Sequence, residues 1–250
     1  MCPGSEQVCD YLGVLIQPMV EQMNKTQAII FDMDGVLIDS EELHAHAKRT
    51  AFRQAGITLT DSDLHEYVGR SDAVMIEEVG TRCQLNADQR AAIFREKARI
   101  YEQEEKKLKI VPGSMEFVRW TAQHYKLALA TSATTRNRVA ALDLLGIADS
   151  FEAIVDLSDV SEPKPSPEIY LTAVSRLALA PSQCMVVEDA LTGVLSAKRA
   201  GCVVSALTRT FASETLLEVG ADFTFESFAK LQSFLENDLR NLARVASNAQ

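Results

Sequence analysis

The sequence predicts an α/β fold, a doubly wound parallel sheet with helices on both faces and an inserted α-helical cap domain. Three observations predict it. Short apolar runs without proline recur along the chain and alternate with helical patterns, as parallel strands joined by crossover helices do. Acidic, hydroxyl and basic residues follow those runs directly, where open α/β sheets place their ligands. One gap, from Glu41 to Ile110, is helical throughout and far longer than a single crossover requires.

The elements follow in chain order. Residues 1–26 form an N-terminal extension, read equally well as a packed amphipathic helix, a flexible segment or a partner-binding element. Its apolar stretch, Tyr11 to Val20, follows Glu6 and Asp10 instead of a basic start and contains Pro18, so it does not read as a signal peptide. Ala28 to Phe31 is the first strand. Residues 41–110 are the cap domain, joined to the core by Ser40 to Leu43 and by Lys109 to Gly113. Within it, Asn86-Ala-Asp-Gln-Arg opens a charged helix continuing to about Leu108. Pro112-Gly113 then opens a helix to about Tyr125, before the strand Lys126 to Thr131. A helix from Thr134 to Leu145 is stopped by Gly146. The strand Ala153 to Leu157, the helix Pro167 to Leu177, the strand Cys184 to Val187 and a helix from Leu191 to Ala200, stopped by Gly201, come next. Cys202 to Leu207 and a weaker Asp222 to Phe225 complete the sheet. The core domain is thus 27–40 with 111–240, and 241–250 is a C-terminal tail.

With 250 residues, 47% hydrophobic and 24% charged, the chain can bury a core for one large domain carrying a smaller one. A net charge of -10 argues against nucleic acid as a partner, because nonspecific binding to a polyanion relies on a cationic surface. No stretch reaches the roughly 18 consecutive apolar residues of a membrane helix, so no membrane association is expected. The five cysteines, Cys2, Cys9, Cys83, Cys184 and Cys202, lack metal-ligand pairing and point to a reduced, cytoplasmic protein. Cys184 and Cys202 sit in apolar runs and are expected to be buried.

Chemistry concentrates in Ala28-Ile-Ile-Phe-Asp32-Met-Asp34-Gly-Val-Leu-Ile-Asp-Ser40. Asp32 follows the strand and is the natural nucleophile. Gly35 bends the chain, so that Asp34 stands beside Asp32 instead of behind it. An EF-hand loop also begins Asp-x-Asp, but it needs an oxygen ligand and then glycine where this chain has Val36 and Leu37. Thr131-Ser132 either cap the next helix or offer a hydroxyl and amides to a phosphoryl oxygen. Lys164, held between Pro163 and Pro165, is either a solvent-exposed lysine or a cation aimed at a carboxylate and a phosphate. Glu188-Asp189 read as a helix amino-terminal feature or as an acid pair at a strand end.

Taken together, these stations resemble, in order and spacing, the four motifs of the haloacid dehalogenase superfamily. Residues 28–40 match hydrophobic-Asp-x-Asp-Gly-x-x-x-Asp-Ser/Thr at every defining position, Thr131 supplies the hydroxyl, Lys164 to Tyr170 match Lys-Pro-x-Pro-x-x-Tyr, and Val186 to Gly193 match Val-x-Glu-Asp-x-x-x-Gly. The resemblance covers about residues 27 to 225. It is nearest to the phosphatases and β-phosphoglucomutase-like (CbbY-type) proteins with a helical cap, and it implies the family's HAD-like Rossmannoid core. It further implies a Mg2+-dependent phosphatase acting on a small phosphorylated metabolite, a sugar phosphate or a phosphoglycolate-like compound, through an aspartyl phosphate. By that pattern Asp32 is nucleophile and metal ligand, Asp34 gives its carbonyl to the metal and its side chain to proton transfer, Asp189 ligates the metal, and Glu188 does so directly or through water. Thr131 and Lys164 would hold the transferring oxygens, with Lys164 also pairing with Asp32, and Ser132 would bind substrate. Asp34 also separates the chain from the dehalogenases themselves, which lack an acid there.

The cap bears on the alternative, a β-phosphoglucomutase-type phosphomutase. His44 stands where those mutases have a cap-hinge histidine, Gly69 and Ser71 match their substrate-loop Gly-x-Ser, and Lys97 matches a cap lysine facing the site. Three departures favour hydrolysis. Asp72 replaces the arginine that grips the second phosphate, with Arg70 displaced by two positions; Val68 replaces a lysine; and Thr134-Thr135 replace a Lys-Asn pair. A non-catalytic binding or regulatory protein is a third reading, since fold does not determine function.

Overall fold

A computed structural model describes residues 25–248, with the side chains of Asp238 and 241–248 outside the description. The N-terminal extension, Cys2 and Cys9 therefore lie almost wholly or wholly outside it. Six strands form a parallel sheet. They are β1 (Ala28–Phe31), β4 (Lys126–Ala130), β5 (Ala153–Val155), β6 (Cys184–Glu188), β7 (Val203–Leu207) and β8 (Phe223–Phe225), in the order β5-β4-β1-β6-β7-β8. The chain leaves β1 toward one edge through β4 and β5, then returns to the other side of β1 for β6. That reversal opens a crevice at the carboxyl end of β1.

β1 is buried at every position because neither of its faces meets solvent. Ile29 and Phe31 pack with Phe117, Leu142 and Leu231 on one face, whereas Ala28 and Ile30 pack with Tyr170, Val194 and Ala197 on the other. Period-two alternation thus separates two cores, each covered by helices.

A second cluster of helices joins the sheet through a short antiparallel ribbon, β2 (Ile38–Asp39) with β3 (Lys109–Ile110). Between those strands lie α1 (Glu41–Gln54), α2 (Asp61–Glu66), α3 (Asp72–Arg82) and α4 (Ala87–Glu104). They enclose their own core around Ala47, Phe52, Met75, Val79, Ile93 and Tyr101. Capping boxes at Thr60 and Asn86 start α2 and α4, and the Ser71 hydroxyl caps α3. This is the expected cap.

The structure corrects several boundaries. The crossing into the cap is the β2–β3 ribbon, not Ser40 to Leu43, since α1 begins at Glu41. α4 stops at Glu104, four residues before the expected Leu108, because the following Glu105–Lys107 turn buries nothing. The next helix, α5 (Ser114–Thr121), ends before Tyr125, where the Thr121 hydroxyl donates back to the carbonyls of Phe117 and Val118. β5 ends at Val155 because the Asp156 side chain accepts the Ser158 N–H and turns the chain. The remaining helices are α6 (Thr135–Leu145), α7 (Glu168–Arg176), α8 (Leu191–Arg199), α9 (Ser213–Glu218) and α10 (Phe228–Asn248). Since α10 continues through 241–248, no boundary falls at residue 240. Cys184 and Cys202 are buried, as expected, and Cys83 is exposed. Among the described residues no helix is long and apolar enough to cross a membrane.

Candidate active site

A cavity of about 330 Å³ lies between the carboxyl ends of the central strands and the cap. Asp32 opens onto it as the first residue past β1, with its N–H bonded to the Val187 carbonyl in β6. Gly35 follows at φ +79°, in the left-handed region that favours glycine, and a Cβ there would overlap the Asp189 carboxylate. Both the turn and the close approach therefore require a glycine.

Lys164 organises the core side. Its ammonium donates to Asp32 Oδ1 at 2.7 Å, Glu188 Oε1 at 2.8 Å and the Tyr170 hydroxyl at 2.9 Å, while Tyr170 itself donates to Glu188 Oε1 at 2.7 Å. The other oxygen of Glu188 accepts from the N–H groups of Asp189 (2.9 Å) and Ala190 (3.0 Å). Gly193 leaves room for that carboxylate, which a Cβ would overlap. Glu188 thus receives four hydrogen bonds and fixes Lys164 against Asp32. Burial opposes the lysine's charge, but Asp32 and Glu188 together raise its pKa above the ordinary value, so it stays an ammonium at neutral pH.

Oxygens of Asp32, Glu188 and Asp189 lie within 4.8 Å of one another. Burial pushes Asp32 up to about 7, with Lys164 pulling down and Glu188 and Asp34 pushing up. Burial and the charge of Glu188 push Asp189 well above the carboxylate range, despite the Thr210 hydroxyl 2.5 Å from its Oδ2. One ammonium among three buried carboxylates leaves negative charge uncompensated. An all-oxygen donor set in that state fits a hard divalent cation.

The cap side holds Asp34. Its Oδ1 accepts from the Ser40 hydroxyl and faces His44 Nε2 at 3.5 Å. Lys97 Nζ lies 2.9 Å from His44 Nδ1. An ammonium has no lone pair, so Nδ1 accepts and the ring proton sits on Nε2, toward Asp34. Tyr101 stacks on His44 at 4.6 Å and fixes the ring plane. Burial would raise the pKa of Asp34, but His44, Ser40 and Lys97 hold it below its ordinary value. Beyond His44, Lys97 pairs with Asp72 at 2.5 Å, and Lys48 lies 3.7 Å from the same carboxylate.

Of the residues singled out from the sequence, Asp32, Asp34, His44, Gly69, Arg70, Ser71, Lys97, Ser132, Lys164, Glu188 and Asp189 all line this cavity. Thr131 does not. It is buried, and its Oγ1 accepts the Ala133 N–H at 3.1 Å, while the helix-capping role that its sequence position left open falls to the Thr134 hydroxyl, which accepts the Asn137 N–H. Arg70 is on the wall, but its guanidinium is held by Glu78 at 2.5 Å and stacked over Tyr67. Sequence reasoning assigned no role to Ser40, Tyr170, Lys48, Phe94, Thr192 or Thr210. Ser40 and Tyr170 end motifs that were read, which was their only signal; the others occupy positions that carry none.

The profile of the haloacid dehalogenase-like hydrolases matches residues 29–207. The chain belongs to this family. Among its relatives is validoxylamine A 7'-phosphate phosphatase from Streptomyces hygroscopicus subsp. limoneus, 35% identical over 76% of this chain and 89% of the relative. The β-phosphoglucomutase of Bacillus subtilis is 32% identical over 70% of this chain and 80% of its own length. The crystal structure of a hydrolase from Pseudomonas syringae superposes with a TM-score of 0.77 at 25% identity, covering 85% of this chain and 99% of that one. The haloacid dehalogenase-like fold therefore extends across the sheet and the cap helices alike.

Proposed function

We propose that the protein is a Mg2+-dependent phosphatase that hydrolyses the phosphomonoester of a small metabolite through an aspartyl phosphate on Asp32. The observation that carries this reading is the Lys164–Asp32 contact of 2.7 Å, which aims a buried carboxylate into the cavity beside Asp34. The relatives named as a phosphatase and a phosphomutase of phosphorylated sugar-like compounds support the reaction class.

Asp32, Asp189 and the Asp34 carbonyl would hold Mg2+, with Glu188 direct or through water, and the bound cation would offset the repulsion between an anionic nucleophile and a phosphoryl dianion. Asp32 attacks phosphorus as the bond to the leaving oxygen breaks, and Asp34 donates a proton to that oxygen. Asp34 is held in its base form in the free protein. An arriving phosphoryl dianion raises its pKa, so that the proton is taken up with the substrate. Asp34, now a base, removes a proton from water, which attacks phosphorus and releases phosphate with the Asp32 carboxylate restored. Ser132 and the backbone after β4 offer hydrogen bonds to the transferring oxygens, and Lys164 supplies positive charge.

Water is favoured over a sugar hydroxyl as the final acceptor. A mutase must retain its bisphosphate intermediate while it reorients, which requires a second anion clamp. Here Asp72 occupies that place and engages Lys97, and Arg70 is engaged by Glu78. Buried, unpaired Cys184 and Cys202 support a reducing compartment such as the cytoplasm.

The deciding experiment measures phosphate release from a panel of monoesters with Mg2+ and with EDTA, alongside conversion of β-glucose 1-phosphate to glucose 6-phosphate. Metal-dependent release exceeding interconversion is expected. Interconversion faster than release would make the protein a mutase, and release undiminished by EDTA would remove the metal from the mechanism.

A further inference from the structure

The charges on the cavity wall describe the part of the substrate that is not phosphate. Six carboxylates and four cations face the cavity, which leaves the wall two negative. A divalent cation would bring it level, and a phosphoryl dianion then leaves no positive charge for a second anionic group. Nor is a cation held in reserve. Lys164 belongs to Asp32 and Glu188, Arg70 to Glu78, and Lys97 and Lys48 share Asp72. Asp72 is ionised at neutral pH, because the ammonium groups of Lys97 and Lys48 outweigh its burial and hold it at about 2.

The same wall carries two features suited to an uncharged, hydroxyl-bearing body. Phe94 is 44% exposed and shares a face of α4 with Lys97 and Tyr101, so an aromatic surface lies open at the cavity. From the core side, Asn137 lines the cavity; its N–H donates to the Thr134 hydroxyl, and its carboxamide makes no hydrogen bond to the described residues. It offers both a donor and an acceptor, which is what a hydroxyl needs. A space of about 330 Å³ is at the small end for ligand sites and suits one sugar-sized body.

Resting on the phosphatase reading, we propose that this wall selects phosphate monoesters of sugars and polyols, with Phe94 and Asn137 facing the body and Asp72 excluding any second phosphate or carboxylate. Phosphoglycolate and sugar bisphosphates are then poor substrates.

The test uses size-matched pairs, comparing kcat/KM with Mg2+ for glycerol 3-phosphate against 2-phosphoglycolate, and for fructose 6-phosphate against fructose 1,6-bisphosphate. At least a tenfold preference for the less charged member is expected in each pair. Asp72→Asn should shrink both preferences at least fivefold. Any general damage to Lys97 and His44 cancels in the ratio, because both substrates of a pair are measured on one variant. Phe94→Ala should lower the ratio of fructose 6-phosphate to glycerol 3-phosphate at least fivefold. Equal or inverted preferences in the wild-type protein overturn the proposal while leaving a phosphatase. Unchanged ratios in folded Asp72→Asn or Phe94→Ala overturn the assignment of that residue. If Asp72→Asn does not fold, the wild-type ratios and Phe94→Ala decide. Should no monoester release phosphate at all, the phosphatase reading falls and takes the proposal with it.

Discussion

Lys164 and Lys97 are both buried lysines paired with a carboxylate, and they face the same cavity from opposite sides. Lys164 is held by residues at the ends of two sheet strands and by Tyr170 from a helix packed on the sheet. Lys97 pairs with cap residues, Asp72 in the first turn of α3 and His44 in α1. The partners of Lys164 are carried by the buried sheet and a helix packed on it, whereas those of Lys97 are carried by the cap helices. Under the proposed mechanism the reacting groups then stand on the core and the recognition groups on the cap.

The sharpest way to break this division is to remove a group from each half. Asp32→Asn, on the core side, should lower turnover at least about a thousandfold, since loss of a covalent nucleophile normally costs several orders of magnitude. Its melting temperature should be retained. More than about one percent residual turnover would shift the nucleophile elsewhere. Asp34→Asn removes the residue at which the two halves meet, and a loss of about a hundredfold or more in kcat is expected, the usual scale of general acid–base catalysis. An equivalent loss confined to KM would make Asp34 a binding group.

Thermal stability sharpens the comparison further. Asp32 is raised to about 7 and Asp189 well above the carboxylate range, whereas an unfolded aspartate titrates near about 4. Between those values the folded state binds more protons than the unfolded one, so metal-free stability falls as pH rises from about 4 through 7. Mg2+ takes the ionised carboxylates and should therefore raise the Tm more at pH 8 than at pH 5. Calorimetry with Mg2+ and with EDTA checks this, and an equal shift at both pH values would contradict it. The smallest effect concerns the contact between the halves, where the Thr192 hydroxyl donates to the Gly69 carbonyl at 2.6 Å. Thr192→Val removes a hydrogen bond of roughly 0.5–1.5 kcal/mol and should raise KM about two- to tenfold with kcat nearly unchanged. A change confined to kcat would mean that the contact does not help hold the cap over substrate.

How much could be read from the sequence follows the same boundary. Asp32, Glu188 and Asp189 were legible as strand-end positions because each follows an apolar run, whereas Lys164, among prolines between β5 and α7, was told from a solvent-exposed lysine only by the family resemblance. Thr131 was legible as a position but not as an orientation, since the pattern does not say whether its hydroxyl turns to Ala133 or to the cavity. The cap helices were visible as a long helical gap, yet their ends were not, because Glu105–Lys107 and the back-bonding Thr121 interrupt helices without glycine or proline. The pairing of Lys97 with Asp72 joins residues from two helices, and no short-range pattern encodes which helix faces meet. Asp72 departs from the mutase pattern in the sequence itself, but its pairing with Lys97 and Lys48 depends on the packing of three helices.

In the proposed reaction Asp32 carries the phosphoryl group. Quenching the protein during turnover of a sugar monophosphate, reducing it with borohydride and mapping its peptides by mass spectrometry tests that claim directly, because an aspartyl phosphate is reduced to homoserine while a free carboxylate is not. Homoserine at position 32, absent from Asp32→Asn and from protein without substrate, is the predicted result. Phosphate release with no reduced residue at position 32, or with reduction at another carboxylate, would contradict it.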